Sequence, residues 1–213
     1  MMITITGAPA TGKSSIATYI SKCTGINVES LDVYKVRLFE EFGFKSNNEK
    51  KLLSKQAEDD FLLSVTKQIK SKYDLILDTS KITTYETIKK LAIDFEFDTY
   101  LVICYCDPII LAERYNTRCI CENERHISLS VVNQYPVQDG VTEYHSPISA
   151  SYADKFQQTF LSGSFTEEAL KINTTYIEYN FKKLCNDVIA FCDLGGRTFE
   201  YRRNRCGACW FDD

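Results

Sequence analysis

Residues 2–14 read Met2-Ile-Thr-Ile-Thr-Gly7-Ala-Pro-Ala-Thr-Gly12-Lys13-Ser14, and this stretch decides the fold. Its last eight residues fit G-x-x-x-x-G-K-[ST], the phosphate loop. The context fits as well. Met2 to Thr6 is an apolar strand, and Ser14 to Thr24 reads as a helix with Ile16, Tyr19 and Ile20 on one face and Gly25 as its stop. Glycines at both ends let the backbone curl until several N–H groups point at one anion. Gly7, Ala8, Pro9, Ala10, Thr11, Gly12, Lys13, Ser14 and Ser15 are therefore expected to cradle a nucleotide, with Lys13 on the β- and γ-phosphates and the Ser14 hydroxyl on Mg²⁺.

Outward from the loop the chain alternates strand and helix. Ile26 to Leu31 is a short strand. Ser46 or Asn47 caps a long helix to about Lys72, with Leu53, Ala57, Phe61, Val65 and Ile69 as its buried stripe. Leu75 to Leu77 is a buried strand, Thr84 to Phe95 an amphipathic helix, and Tyr100 to Tyr105 another buried strand. Asp107 caps a helix that begins at Pro108. Residues 116–140 are polar and irregular, as a lid would be. Phe156 to Leu161 is the candidate fifth strand. Ser164 and Glu167 have capping-box spacing for a last helix to about Phe191, and Ser162-Gly-Ser164 would then border the base. The expected fold is a three-layer α/β phosphate-loop fold: a parallel five-stranded sheet with helices on both faces, plus a lid.

Such sheets bind ligands at the carboxyl ends of their strands, so the residues there are the candidates. Asp32 follows the second strand and faces the space beyond the γ-phosphate, where it can accept the proton of an attacking hydroxyl. Lys35, three residues on, can neutralise charge on the acceptor. Asp78 closes an apolar strand in the Walker-B manner and belongs near Mg²⁺, with Thr79 beside it on the acceptor side. Arg114 and Arg118 share one helical face, and their planar guanidinium groups suit the charge of a phosphoryl group in transfer. No Asn-Lys-x-Asp motif for guanine occurs, which argues against a GTPase.

The order GAPATGKS, Asp32-Val-Tyr34-Lys35, Asp78-Thr79-Ser80, Arg114-x-x-x-Arg118 resembles the phosphate-loop kinases of the polynucleotide 5′-hydroxyl kinase type, with their zeta-toxin and chloramphenicol-phosphotransferase relatives. The resemblance spans about residues 2–180. It implies Lys13 and Ser14 on ATP and Mg²⁺, Asp32 as general base, Arg118 on the phosphates, and a hydroxyl acceptor such as a nucleic-acid 5′ end. It departs at Lys35, where the family has arginine, and at Ser80, where it has asparagine. Relatives on this scaffold phosphorylate sugars, drugs or tRNA, so a small-molecule kinase is the alternative. A nucleotide-binding regulatory module that transfers nothing is the rival of a different class.

Composition sets the outer bounds. The chain has 213 residues, 44% of them hydrophobic and 25% charged, with a net charge of -4, which excludes disorder and bulk-charge coating of nucleic acid. No apolar run is long enough to span a membrane, and residues 1–6 carry no basic residue, so a cytoplasmic protein is expected. Nine cysteines are too few for a disulfide scaffold. The expected organisation is a kinase domain over 1–188, with its lid at about 116–140, and an extension over 189–213. That extension holds Arg197, Arg202, Arg203, Arg205 and the pair Cys206 and Cys209. With Cys185 and Cys192 the pair makes a possible zinc set, incomplete as a ribbon because Gly195 stands where one knuckle needs cysteine. His126 and His145 lie in polar segments and receive no role.

Overall fold

The structure, a computed structural model, describes residues 1–120, 134–136, 147–163 and 168–194. Five strands, β1 (Met2–Gly7), β2 (Asn27–Ser30), β3 (Leu75–Thr79), β4 (Thr99–Tyr105) and β5 (Leu170–Asn173), form one sheet in the order β2-β3-β1-β4-β5. Every pairing is parallel. The helices are α1 (Lys13–Thr24), α2 (Leu31–Phe42), α3 (Asn47–Lys70), α4 (Ile82–Asp94), α5 (Pro108–Ile120), α6 (Ala150–Leu161) and α7 (Ile177–Phe191).

Strand alternation sends side chains to two faces, and both are covered. Ile3, Ile5, Ile76, Val102 and Cys104 pack under Ile16 and Ile20 of α1 and Leu184, Cys185 and Val188 of α7. On the opposite face Leu75 and Leu77 meet Phe61, Val65 and Ile69 of α3 and Ile88 and Ala92 of α4. Leu101 and Ile103 on that face meet Leu111 of α5 and Phe160 of α6. This is the expected three-layer arrangement.

Ser46 caps α3 by accepting from the Glu49 N–H at 3.3 Å, and the Glu49 carboxylate accepts from the N–H of Lys45, one residue before the cap, at 2.7 Å. Asp107 caps α5 through the Ile109 N–H at 2.8 Å.

Three expectations need correction. Residues 156–161 are helix, not strand. Ser149 caps α6 by accepting from Tyr152, and Ala153, Gln157 and Phe160 are buried at helical spacing. The fifth strand is Leu170–Asn173, in which only Ile172 is fully buried. The last helix consequently starts at Ile177 rather than near residue 164; Ser164 and Glu167 lie outside the described residues. Helix α2 went unread altogether. The boundary drawn at 188 falls inside α7, and Cys192 and Leu194 beyond it are buried in the core.

Candidate functional site

The site begins where β1 ends. Gly7 has φ +148°, and a Cβ there would lie 2.3 Å from the Cys104 carbonyl oxygen, so only glycine lets the loop leave between β1 and β4. Thr11 then folds back, its N–H and hydroxyl both donating to the Ala8 carbonyl, at 3.3 and 2.8 Å. Gly12 is the α1 N-cap in the left-handed region, with no side-chain cap on the helix. The first N–H groups of α1 therefore open onto the loop, the arrangement that binds an anion. A Cβ on Gly12 would meet the Ile177 side chain at 2.6 Å, so the β5–α7 turn stands against the loop.

Lys13 and Asp78 are both buried, at 8% and 7% exposure. Register explains Asp78: β1 pairs Ile5 with Asp78, and β2 pairs Ser30 with it, so it ends the central strands beside the loop. Burial pushes its carboxyl above the ordinary carboxylate range, against the pull of the Lys13 charge and a hydrogen bond with Ser14; the Asp32 charge adds to the rise. One of its oxygens, Oδ1, is buried with no hydrogen-bond partner. A buried acidic oxygen without a donor, next to a serine hydroxyl and a phosphate cradle, fits a hard divalent cation.

Asp32 lies in the first turn of α2, two residues past the Ser30–Asp78 pair. Its side chain is 61% exposed and meets Lys35 Nζ at 3.2 Å. Thr79 is buried, and its hydroxyl accepts from the Lys81 N–H at 3.1 Å, which engages it in the turn after β3.

Arg114 is not positioned as the expected phosphoryl clamp. Its guanidinium donates to the Thr174 and Thr175 carbonyls, each at 2.9 Å, and to Glu178 at 2.9 Å. It ties α5 to the turn after β5. That turn, not Ser162-Gly-Ser164, follows the last strand and stands beside the phosphate loop. Arg118 lies one helical turn further along α5 and is half-buried.

Cys185 and Cys192 are core residues: both pack under the sheet with Ile16 and Ile20, and burial pushes both thiols up to about 12. Cys206, Cys209, His126 and His145 lie outside the described residues, and among the described ones no group of three or more His, Cys, Asp or Glu gathers as a metal site. No described helix is long and apolar enough to cross a membrane.

Sequence reasoning missed the β5–α7 turn, which was hidden behind the misplaced strand.

No family model matches the chain, and no curated protein matches it. Solved structures do. A candidate kinase of Chloroflexus aurantiacus j-10-fl aligns over 89% of this chain and 97% of its own, at 18% identity and TM-score 0.65. A sugar kinase of Janibacter sp. HTCC2649 covers 92% of this chain and 96% of its own, at 12% identity and TM-score 0.52. Shikimate kinase of Bacteroides thetaiotaomicron covers 91% and 98%, at 12% identity and TM-score 0.50. The fold is that of the phosphate-loop kinases. At these identities the likeness establishes architecture, and the named kinases act on small molecules rather than polynucleotides.

Proposed function

We propose that the protein is an ATP-dependent kinase of a small hydroxyl-bearing molecule. The observation that carries this is Asp32, an accessible carboxylate at the start of α2, close enough to the phosphate-loop cluster for its charge to act on Asp78. In a nucleotide-binding module that transferred nothing, the same carboxylate would serve only the first turn of α2.

In this reading Lys13 and the α1 N–H groups hold the β- and γ-phosphates. Ser14 and Asp78 are the residues that would hold Mg²⁺, which when bound supplies positive charge to the phosphates. Thr174, Thr175 and Tyr176 border the base beside Gly12, and Arg114 fixes that turn from behind. The acceptor hydroxyl lies against Asp32. As its oxygen bonds to the γ-phosphorus, the bond from phosphorus to the ADP oxygen breaks and Asp32 takes the proton. Arg118 is assigned to the charge on the transferring group. Small-molecule kinase names among structures of the same fold support the acceptor class, and a polynucleotide end is the less supported alternative.

The test is transfer of labelled γ-phosphate from ATP to a panel of sugars, sugar acids, nucleosides and 5′-hydroxyl oligonucleotides, with wild type and Asp32→Asn compared. The variant should lose roughly 10²- to 10⁴-fold in kcat, the usual worth of a general base, with ATP affinity unchanged. A wild-type rate in Asp32→Asn would remove Asp32 from the chemistry, and transfer to the oligonucleotides alone would reverse the acceptor class.

A further inference from the structure

The Asp32 side chain is 61% exposed, and among the described residues its hydrogen-bonding partner is Lys35, on its own helix. Ser30 is the N-cap of α2 but makes no side-chain capping bond. The aim of Asp32 is therefore set by whatever fixes the first turn of α2. Two positions along a helix rotate a side chain by about 200°, so Tyr34 points to the protein side of that turn while Asp32 points out.

Tyr34 is held there by a carboxylate on the edge strand. Glu29 and Leu77 are register partners, and partners in a parallel pair share a face of the sheet, so Glu29 faces α3 as Leu77 does. Its carboxylate gathers three donors: the Tyr34 hydroxyl at 2.8 Å, the Ser64 hydroxyl at 3.2 Å and the Gln68 amide at 2.5 Å. The Tyr34 ring packs edge-on against Phe61 of α3, with centroids 5.6 Å apart. Arg37 lies over the same ring at 5.3 Å and bonds Asp60 of α3 at 3.1 Å. Burial first, and the Glu29 carboxylate as well, hold the Tyr34 phenol above its ordinary range, so it stays a donor. One carboxylate thus bolts β2, α2 and α3 together, three residues before Asp32. Stability alone does not call for this. An aliphatic residue beside Leu77 would join the same elements without taking a charge out of water. A directed hydrogen bond fixes an angle, which apolar packing does not.

We infer that Tyr34, through its bond to Glu29, is a positioning residue for Asp32: it sets the rotation and height of the first turn of α2, and with them the distance from the carboxylate to the acceptor hydroxyl. The inference rests on the proposed reading of Asp32 as the base and adds the part that aims it. A general base works only within hydrogen-bond reach of the proton it takes. A displacement of about 1 Å can cost roughly 10²-fold in rate. Tyr34 acts on the chemistry through Asp32 alone.

The experiment is a double-mutant cycle on phosphoryl transfer from ATP. Wild type, Tyr34→Phe, Asp32→Asn and the double variant are assayed with glucose, gluconate, shikimate and adenosine. Tyr34→Phe keeps the ring on Phe61 and removes only the hydroxyl, so its Tm should stay within about 5 °C of wild type. With the compound that the wild type phosphorylates, its kcat should fall about 10-fold while KM for ATP is unchanged. In the Asp32→Asn background the same change should cost less than about 2-fold, because aiming a base has no effect once the base is gone. A wild-type kcat in Tyr34→Phe overturns the positioning role and leaves the kinase reading standing. An equal loss in both backgrounds also overturns it, since Tyr34 would then act through a contact of its own. So does a loss that appears only where the variant has melted. Full activity in Asp32→Asn removes the base, and with it what Tyr34 would aim. Transfer from wild type to none of the four compounds overturns the kinase reading and this inference together.

Discussion

The two sides of the site are built differently. On the donor side, Lys13 and Asp78 are buried and issue from the central strands β1 and β3, with a loop whose turns are closed by backbone hydrogen bonds. On the side proposed for the acceptor, Asp32 and Lys35 are carried by helix α2 outside the sheet, and Asp32 is 61% exposed. In the proposed reading donor chemistry is the same whatever is phosphorylated, and its residues sit on the buried central strands. In the same reading the acceptor groups sit on an exposed helix face, where a substitution does not reach the core. Structures at 12% to 18% identity share the architecture.

The largest effect should come from removing the donor side's own charge. Lys13→Ala should lower phosphoryl transfer by at least ~10³-fold, since a preorganised cation on the transferring phosphate is commonly worth about 10²–10³ alone and Lys13 also binds the nucleotide. The fold should survive, because the relief of Lys13's own burial offsets the loss of its attraction to the buried Asp78 carboxyl. Steady-state rates and a melting curve check both halves. A Lys13→Ala protein with full activity would put the donor elsewhere and dissolve the contrast between the two sides.

Asp78→Asn should sharpen that contrast by separating chemistry from stability. Activity should fall and its Mg²⁺ dependence weaken. Stability should move the other way. Burial holds the folded-state pKa of Asp78 above its unfolded value, so the favourable contribution of its protonated form is complete below the ordinary carboxylate range. It is lost as pH rises through the raised value, so at neutral pH this group bears a net cost in the metal-free protein. Asp78→Asn should therefore melt higher than wild type at pH 7 without metal, and the difference should shrink at pH 4. Melting curves at both pH values, with and without Mg²⁺, test this. Asp32→Asn, on the exposed side, should produce no comparable gain.

The same contrast decided what could be read in advance. The donor side is contiguous in sequence: strand, glycine loop, lysine and helix follow one another within residues 2–24, and Asp78 closes an apolar run. The acceptor side is assembled from pieces distant in the chain, and its key helix was missed. In α2 the apolar residues Leu31, Leu38 and Phe39 are diluted by Glu40 and Glu41, and the Asp32 that signals chemistry equally signals a cap. The error at Phe156–Leu161 has another cause. Phe-Gln-Gln-Thr-Phe-Leu offers both periods, and the helix wins because Gln157 is buried and usefully bonded, its amide accepting from the Cys106 N–H at 3.3 Å and donating to the Cys106 carbonyl at 3.0 Å. The true edge strand, Leu-Lys-Ile-Asn, buries too little to announce itself. Pairing with β4 makes it a strand, and that is a tertiary effect.

Arg114 tests the boundary between the two sides and should give the smallest effect on chemistry. Its sequence position beside Arg118 suggested a phosphoryl clamp, but its hydrogen bonds go to the Thr174 and Thr175 carbonyls and to Glu178. Removing it leaves two carbonyl oxygens at the turn that faces Gly12 without that donor. Charged hydrogen bonds of this kind are worth about 1.5–3 kcal/mol each, although solvent reaches this site and reduces the sum. The Glu178 contact adds little, since that carboxylate is 61% exposed. Arg114→Ala should therefore destabilise by about 2–3 kcal/mol, which is roughly 4–12 °C in Tm for a domain of this size. ATP affinity should weaken because the turn that borders the base loses its support, while kcat at saturating ATP should fall only a few-fold. Arg114→Lys should not rescue, because one ammonium cannot reproduce a planar fork that spans two carbonyls. Melting curves with kcat and KM for ATP measured separately distinguish the roles. A loss of 10³-fold or more in kcat with Tm and KM unchanged would return Arg114 to the phosphoryl group and make α5 part of the catalytic machinery rather than its frame.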